Sequence, residues 1–142
     1  MHYKFRLQKL LDMRQEKEDE KKRELMKAMS HKQQIENKIK QFEESYDEYR
    51  QIPLEKSIVE KKITQRYLNS LTSLIEENKK ELKKHEKITE EKRIELVSAQ
   101  VERKTVEILK EKDYERAVKE AALKEQNQID EFALYGYVRK ER

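Results

Sequence analysis

The chain has 142 residues, of which 45% are charged and only 35% come from the AVILMFWYC set, with one Gly, one Pro and no Cys. That is too little apolar material for a globular core, and Glu, Lys, Gln and Arg fill the polar positions where a disordered chain would carry Pro, Gly and Ser, so long helices are the class that remains. The net charge of +4 is the difference between 34 basic and 30 acidic side chains, a mixed surface whose long-range field largely cancels; the lack of Cys excludes a disulfide framework and thiolate metal sites.

The first predicted element is a helix over about 3–51. A strict 4-3 spacing runs through Leu7, Leu11, Arg14, Glu18, Lys21, Leu25, Ala28, Lys32, Ile35, Ile39, Phe42, Tyr46 and Tyr49, and nine of these thirteen positions are apolar or Tyr. A sustained repeat of 3.5 residues implies left-handed supercoiling against another helix. Glu18 with Lys22 and Asp19 with Arg23 add support at i,i+4. Ten of the eleven residues from Arg14 to Glu24 are charged. They form a solvated helix face or, where Arg14, Glu18 and Lys21 fall in the seam, a device that fixes register.

Pro53 removes an N–H and pushes Ile52 out of the α region, so the first helix should break near it. Ser57 followed by Glu60 has the spacing of a capping box. A break and distal tip are expected over about 52–93, followed by a return helix to about 138 that Gly136 should fray. In that helix the same spacing fits Ile94, Val97, Val101, Lys104, Ile108, Glu111, Glu115, Val118, Ala122, Glu125, Ile129 and Phe132, eight of twelve being apolar. Folding back lets the two stripes bury each other, giving an all-α antiparallel two-helix coiled-coil hairpin, a rod forming one coiled-coil domain over 1–142. A parallel homodimer is the competing arrangement. In the hairpin, facing seam residues should carry numbers adding to about 143, which sets Leu11 against Phe132, Leu25 against Val118, Ile35 against Ile108 and Phe42 against Val101. The chain would then reverse in the low seventies.

Chemical sites are not found. A single Gly cannot build a phosphate loop, and His2, His31 and His85 are far apart in sequence with no ligand spacing, so no catalytic residue, metal site or cofactor is expected. Glu interrupts nearly every basic run, which argues against nucleic acid. No apolar run approaches the length of a membrane span, and the start lacks a signal-peptide core, so the expected location is the cytoplasm. Phe42, Tyr46, Tyr49 and Tyr67 bracket Pro53, and Tyr67, Leu71 and Leu74 share a helical face. They are either core packing or an exposed binding patch.

Three segments, FRLQKLLDMR from Phe5 to Arg14, YDEYR from Tyr46 to Arg50 and IDEFALYGYVRKER from Ile129 to Arg142, resemble the FliJ family of flagellar export stalk proteins, in this order and over essentially the whole chain. The resemblance implies a non-enzymatic component of the flagellar type III export apparatus. Such a component sits in the pore of a hexameric export ATPase, promotes its assembly, links it to the membrane-embedded export gate and binds export chaperones. It would be a monomer, peripheral at the inner face of the cell membrane and touching that membrane only through partners. Carried onto this sequence, the gate-contact surface maps to Phe42, Tyr46, Tyr49, Tyr67, Leu71 and Leu74, although the tyrosine pair before the break is spaced three apart where the family has four. The ATPase-facing end maps to Leu7, Leu11, Arg14, Ile129, Phe132 and Arg139. A generic coiled-coil adaptor and a peripheral membrane helix at FRLQKLL are the other readings the residues allow.

Overall fold

The computed structural model describes residues 2–51 and 57–141. Among them there are two helices and no strand: α1, Gln8–Arg50, and α2, Ile58–Glu141. Neither Pro nor Gly occurs within α1, and α2 carries Gly136 alone. The start of α1 follows a turn in which the Gln8 N–H donates to the Phe5 carbonyl at 3.2 Å. The predicted cap of α2 is present. The Ser57 hydroxyl accepts from the Glu60 N–H at 3.3 Å, meeting one of the donors that a helix start leaves open, and the Ser57 carbonyl takes the first bond of the helix from the Lys61 N–H at 3.0 Å. Ion pairs one turn apart, such as Arg103 with Glu107 at 2.6 Å and Lys32 with Glu36 at 3.9 Å, run along both helices.

The two helices of the hairpin form two compact units, one from residues 19–97 and the other from 1–18 with 98–142. In each, α1 and α2 pack antiparallel through a single seam. On the α1 side of the first unit, Lys21, Leu25, Ala28, Lys32, Ile35, Ile39, Phe42 and Tyr46 are buried or half-buried, as the 4-3 spacing requires. The α2 side is Thr64, Leu68, Leu71, Ile75, Asn78, Leu82, His85, Thr89, Lys92 and Leu96. The second unit sets Leu11, Arg14 and Glu18 against Ala99, Arg103, Val106, Lys110 and Asp113. The seam is thin: Ala28, Ile39, Leu71, Ala99 and Val106 are the buried hydrophobic residues among those described.

The register differs from expectation. Lys21 meets Glu95, Lys92 meets Glu24, His31 stacks on His85, Tyr49 meets Tyr67 and Tyr3 meets Asp113. These numbers add to about 116, where about 143 was expected. The predicted α2 stripe lies outside the seam: Val101, Ile108 and Val118 are exposed, as is Phe132, which therefore does not face Leu11. Residues 58–93 are continuous helix with no irregular tip, so the chain does not reverse in the low seventies. Pro53, and the break predicted at it, lie outside the described residues. Gly136 sits inside α2 without ending it.

Candidate functional site

Two surfaces carry the residues singled out in the sequence, one in each unit. In the unit formed by 19–97, the aromatic group near the helix ends is split by packing. Leu71 is 3% exposed and belongs to the seam, Phe42 and Tyr46 are half-buried, and Tyr49, Tyr67 and Leu74 are exposed. The Tyr49 and Tyr67 rings meet across the two helices with centroids 4.6 Å apart and planes tilted by 58°, a favourable aromatic geometry that holds both rings at the surface. Packing thus accounts for Leu71 and in part for Phe42 and Tyr46, while Tyr49, Tyr67 and Leu74 are left at the surface.

The same unit brings together His31 and His85, which the sequence separates. Their rings stack at 6.2 Å, with planes 21° apart. Glu81 Oε2 lies 3.7 Å from His85 Nε2, and the Thr89 hydroxyl donates to the His85 carbonyl at 2.7 Å. Among the described residues no group of three or more His, Cys, Asp or Glu is placed to hold a metal ion.

In the other unit, the N-terminal residues are strapped to α2. The Tyr3 hydroxyl donates to the Asp113 carboxylate at 2.8 Å, and its ring packs edge-on against Tyr114 at 5.2 Å. Burial against α2, with the hydrogen bond to Asp113, pushes the Tyr3 hydroxyl up to about 12. Lys110 Nζ donates to the Gln8 side-chain carbonyl at 2.7 Å. Further in, Arg14 and Lys17 both reach the Glu102 carboxylate, at 2.5 and 3.2 Å. The Lys17 hydrogen bond and the charges of Arg14 and Lys17 hold that carboxyl below its ordinary range. Arg103 pairs with Glu18, which is 2% exposed. Counting apolar residues missed Glu102, Arg103 and Asp113. The signal that could have found them is charge: in the observed register, Arg14 and Glu18 on α1 lie near residues of opposite sign on α2.

Leu11 and Arg14 thus line the seam and Leu7 lies at its edge, 37% exposed, whereas Ile129, Phe132 and Arg139 lie beyond its last contacts. From Val118 to Lys140 every residue of α2 is exposed, with Ile129 at 62% and Phe132 at 83%. Ile129 is sixteen residues past Asp113, about 24 Å along the helix. No described residue of α1 covers it. Shallow concavities on this segment are lined by Phe132, Tyr135, Gly136 and Arg139, and by Ala122, Glu125, Gln126, Ile129 and Asp130. No described helix is long and apolar enough to cross a membrane.

In each unit α1 and α2 thus pack antiparallel around a seam that includes ion pairs, and many large apolar side chains, Phe132 among them, are exposed. The family is defined: the model of the FliJ family, described as flagellar FliJ protein, matches residues 3–142, and the chain belongs to that family. It is accordingly a component of the flagellar export apparatus, in a family of structural stalk proteins. No curated protein and no solved structure matches it.

Proposed function

We propose that this protein is the non-enzymatic central stalk of flagellar type III export, entering the ring of a hexameric export ATPase, favouring ring assembly and linking the ring to the export gate and to export chaperones. The observation that carries the reading is the length of α2 that no described residue of α1 covers, Val118 to Lys140, with Ile129 and Phe132 exposed. A helix in a protein takes most of its stability from packing of its apolar side chains, so exposed ones on a segment without a neighbour suit a partner surface, and a narrow helical end suits a ring pore. Arg139 and Lys140 in its last turn add positive charge at the end. In this reading Leu7, Leu11 and Arg14 stiffen the base from which the helix projects, while Ile129, Phe132 and Arg139 meet the ring. The unit formed by 19–97 offers Tyr49, Tyr67 and Leu74 to the gate protein, with Phe42, Tyr46 and Leu71 packed beneath them. The protein works at the cytoplasmic side of the membrane and touches it through its partners. Adding it to the cognate export ATPase is expected to increase hexamer and raise hydrolysis, and Phe132→Glu to lose most of both effects. Unchanged oligomer size and hydrolysis at saturating protein would end the stalk reading.

A further inference from the structure

The exposed end of α2 is complementary to itself. Glu125, Ile129, Phe132, Ala133, Gly136 and Lys140 lie within an arc of about 100° on the helix. Their order is complementary in size and charge about the midpoint between Phe132 and Ala133, where Glu125 mirrors Lys140, Ile129 mirrors Gly136 and Phe132 mirrors Ala133. A second helix laid antiparallel across that midpoint brings Ile129 over Gly136 of the second copy and Phe132 beside Ala133 of the second copy. It also brings Glu125 opposite Lys140 of the second copy, and each contact occurs twice. The concavity lined by Phe132, Tyr135, Gly136 and Arg139 has residues at i, i+3, i+4 and i+7, the pattern of a coiled-coil hole that receives one side chain from a facing helix, here Ile129 of the second copy. Gly136 lines it with nothing within 4 Å of where a Cβ would stand, so a branched side chain can sit close to the backbone. A parallel copy would oppose Glu125 with Glu125 and Lys140 with Lys140, and is disfavoured by that repulsion.

We propose that the α2 end of this protein pairs antiparallel with the same segment of a second copy, covering Ile129 and Phe132. From Glu125 to Lys140 the contact is only about 24 Å long, well short of the area of a stable interface, so the dimer is weak, with a dissociation constant on the order of 100 µM. The segment is the one that the stalk reading assigns to the ATPase ring, and on that reading the dimer is a stored form from which the ring must release the protein.

Sedimentation equilibrium of the full chain without any ATPase tests the pairing, so its outcome is independent of the stalk assignment. Between roughly 10 µM and 1 mM, around the expected dissociation constant, the weight-average mass should climb from 17.4 kDa toward twice that value. Glu125→Lys alone and Lys140→Glu alone should each weaken association about five- to tenfold, and the two together should restore it. Gly136→Leu should abolish it while circular dichroism shows the helix kept. A mass fixed at that of the monomer, an association indifferent to Gly136→Leu, or a charge-reversed double variant as weak as the singles would overturn the proposal.

Discussion

Arg103 donates from its guanidinium Nε to the carboxylate of Glu18, a seam residue only 2% exposed, and from its Nη1 to Glu107. A carboxylate removed from water in this way needs its cation. Sliding α2 by one heptad would bring Leu96 or Lys110 to that place and take Arg103 away, so the pair ties the register to charge.

Arg103→Ala should therefore destabilise the protein by up to about 3 kcal/mol, since it takes the Arg103 cation away from the buried Glu18 carboxylate. Replacing both residues with Met should recover most of that loss, because two apolar side chains of similar length need no partner. Urea unfolding followed by circular dichroism measures the difference. Equal losses in the single and double variants would mean that the seam depends on the shape of the pair and not on its charge.

Acid should weaken both units. The hydrogen bond from Lys17 lowers the Glu102 carboxyl, and the one from Lys21 lowers Glu95, both from an ordinary value of 4.5. A lowered folded-state value stabilises above the unfolded value, and that stability is lost as pH falls through the folded one. The melting temperature should thus decline as pH drops below 4.5, and Glu102→Gln should flatten the decline. At the alkaline end Tyr3 is raised from 10.0 to about 12, so its contribution is complete below pH 10 and disappears as pH approaches 12. Tyr3→Phe should remove that alkaline loss, as read from thermal melts across the pH range.

The aromatic end separates packing from binding. Leu71→Ala empties a buried seam position and should cost about 2–4 kcal/mol. Leu74→Ala should leave the melt nearly unchanged and Tyr67→Ala should cost only about 1 kcal/mol, the worth of its ring contact with Tyr49, while both weaken capture of the gate protein, by on the order of 2 kcal/mol for the aromatic. Titration calorimetry beside thermal melts distinguishes the two effects. Normal gate affinity in Tyr67→Ala would remove that surface from the stalk scheme.

The frame of α1 is legible in the sequence because all its inner positions from Leu11 to Tyr46 end up buried or half-buried. That of α2 is not. Apolar residues at Ile94, Val97, Val101 and Ile108 mark a stripe that stays exposed, while the seam takes Lys92, Arg103 and Lys110. Those cations answer Glu24, Glu18 and Gln8 on α1. Apolar periodicity scores each such position as an error and so selects the wrong face. The candidate residues fared likewise: their helices were legible, but whether Leu71 or Tyr67 faced water depended on a register set by polar contacts.

The register itself can be tested with two pairs of cysteines, since the sequence supplies none of its own. His31 and His85 stack across the seam at 6.2 Å, so His31→Cys with His85→Cys should join rapidly through a short bismaleimide. Dilute protein keeps the reaction within one chain, and the product should migrate as a compact monomer on a denaturing gel. Ile35→Cys with Ile108→Cys should not join, because Lys110 is held to Gln8, and Ile108, on the turn before it, lies far along the helix from Ile35. The difference between the observed and expected registers is about 27 residues, or about 40 Å of helix, well beyond any fluctuation of a packed seam. Crosslinking of the 35/108 pair with none at 31/85 would return the hairpin to the register that apolar counting favours, and with it move the reversal of the chain to the low seventies.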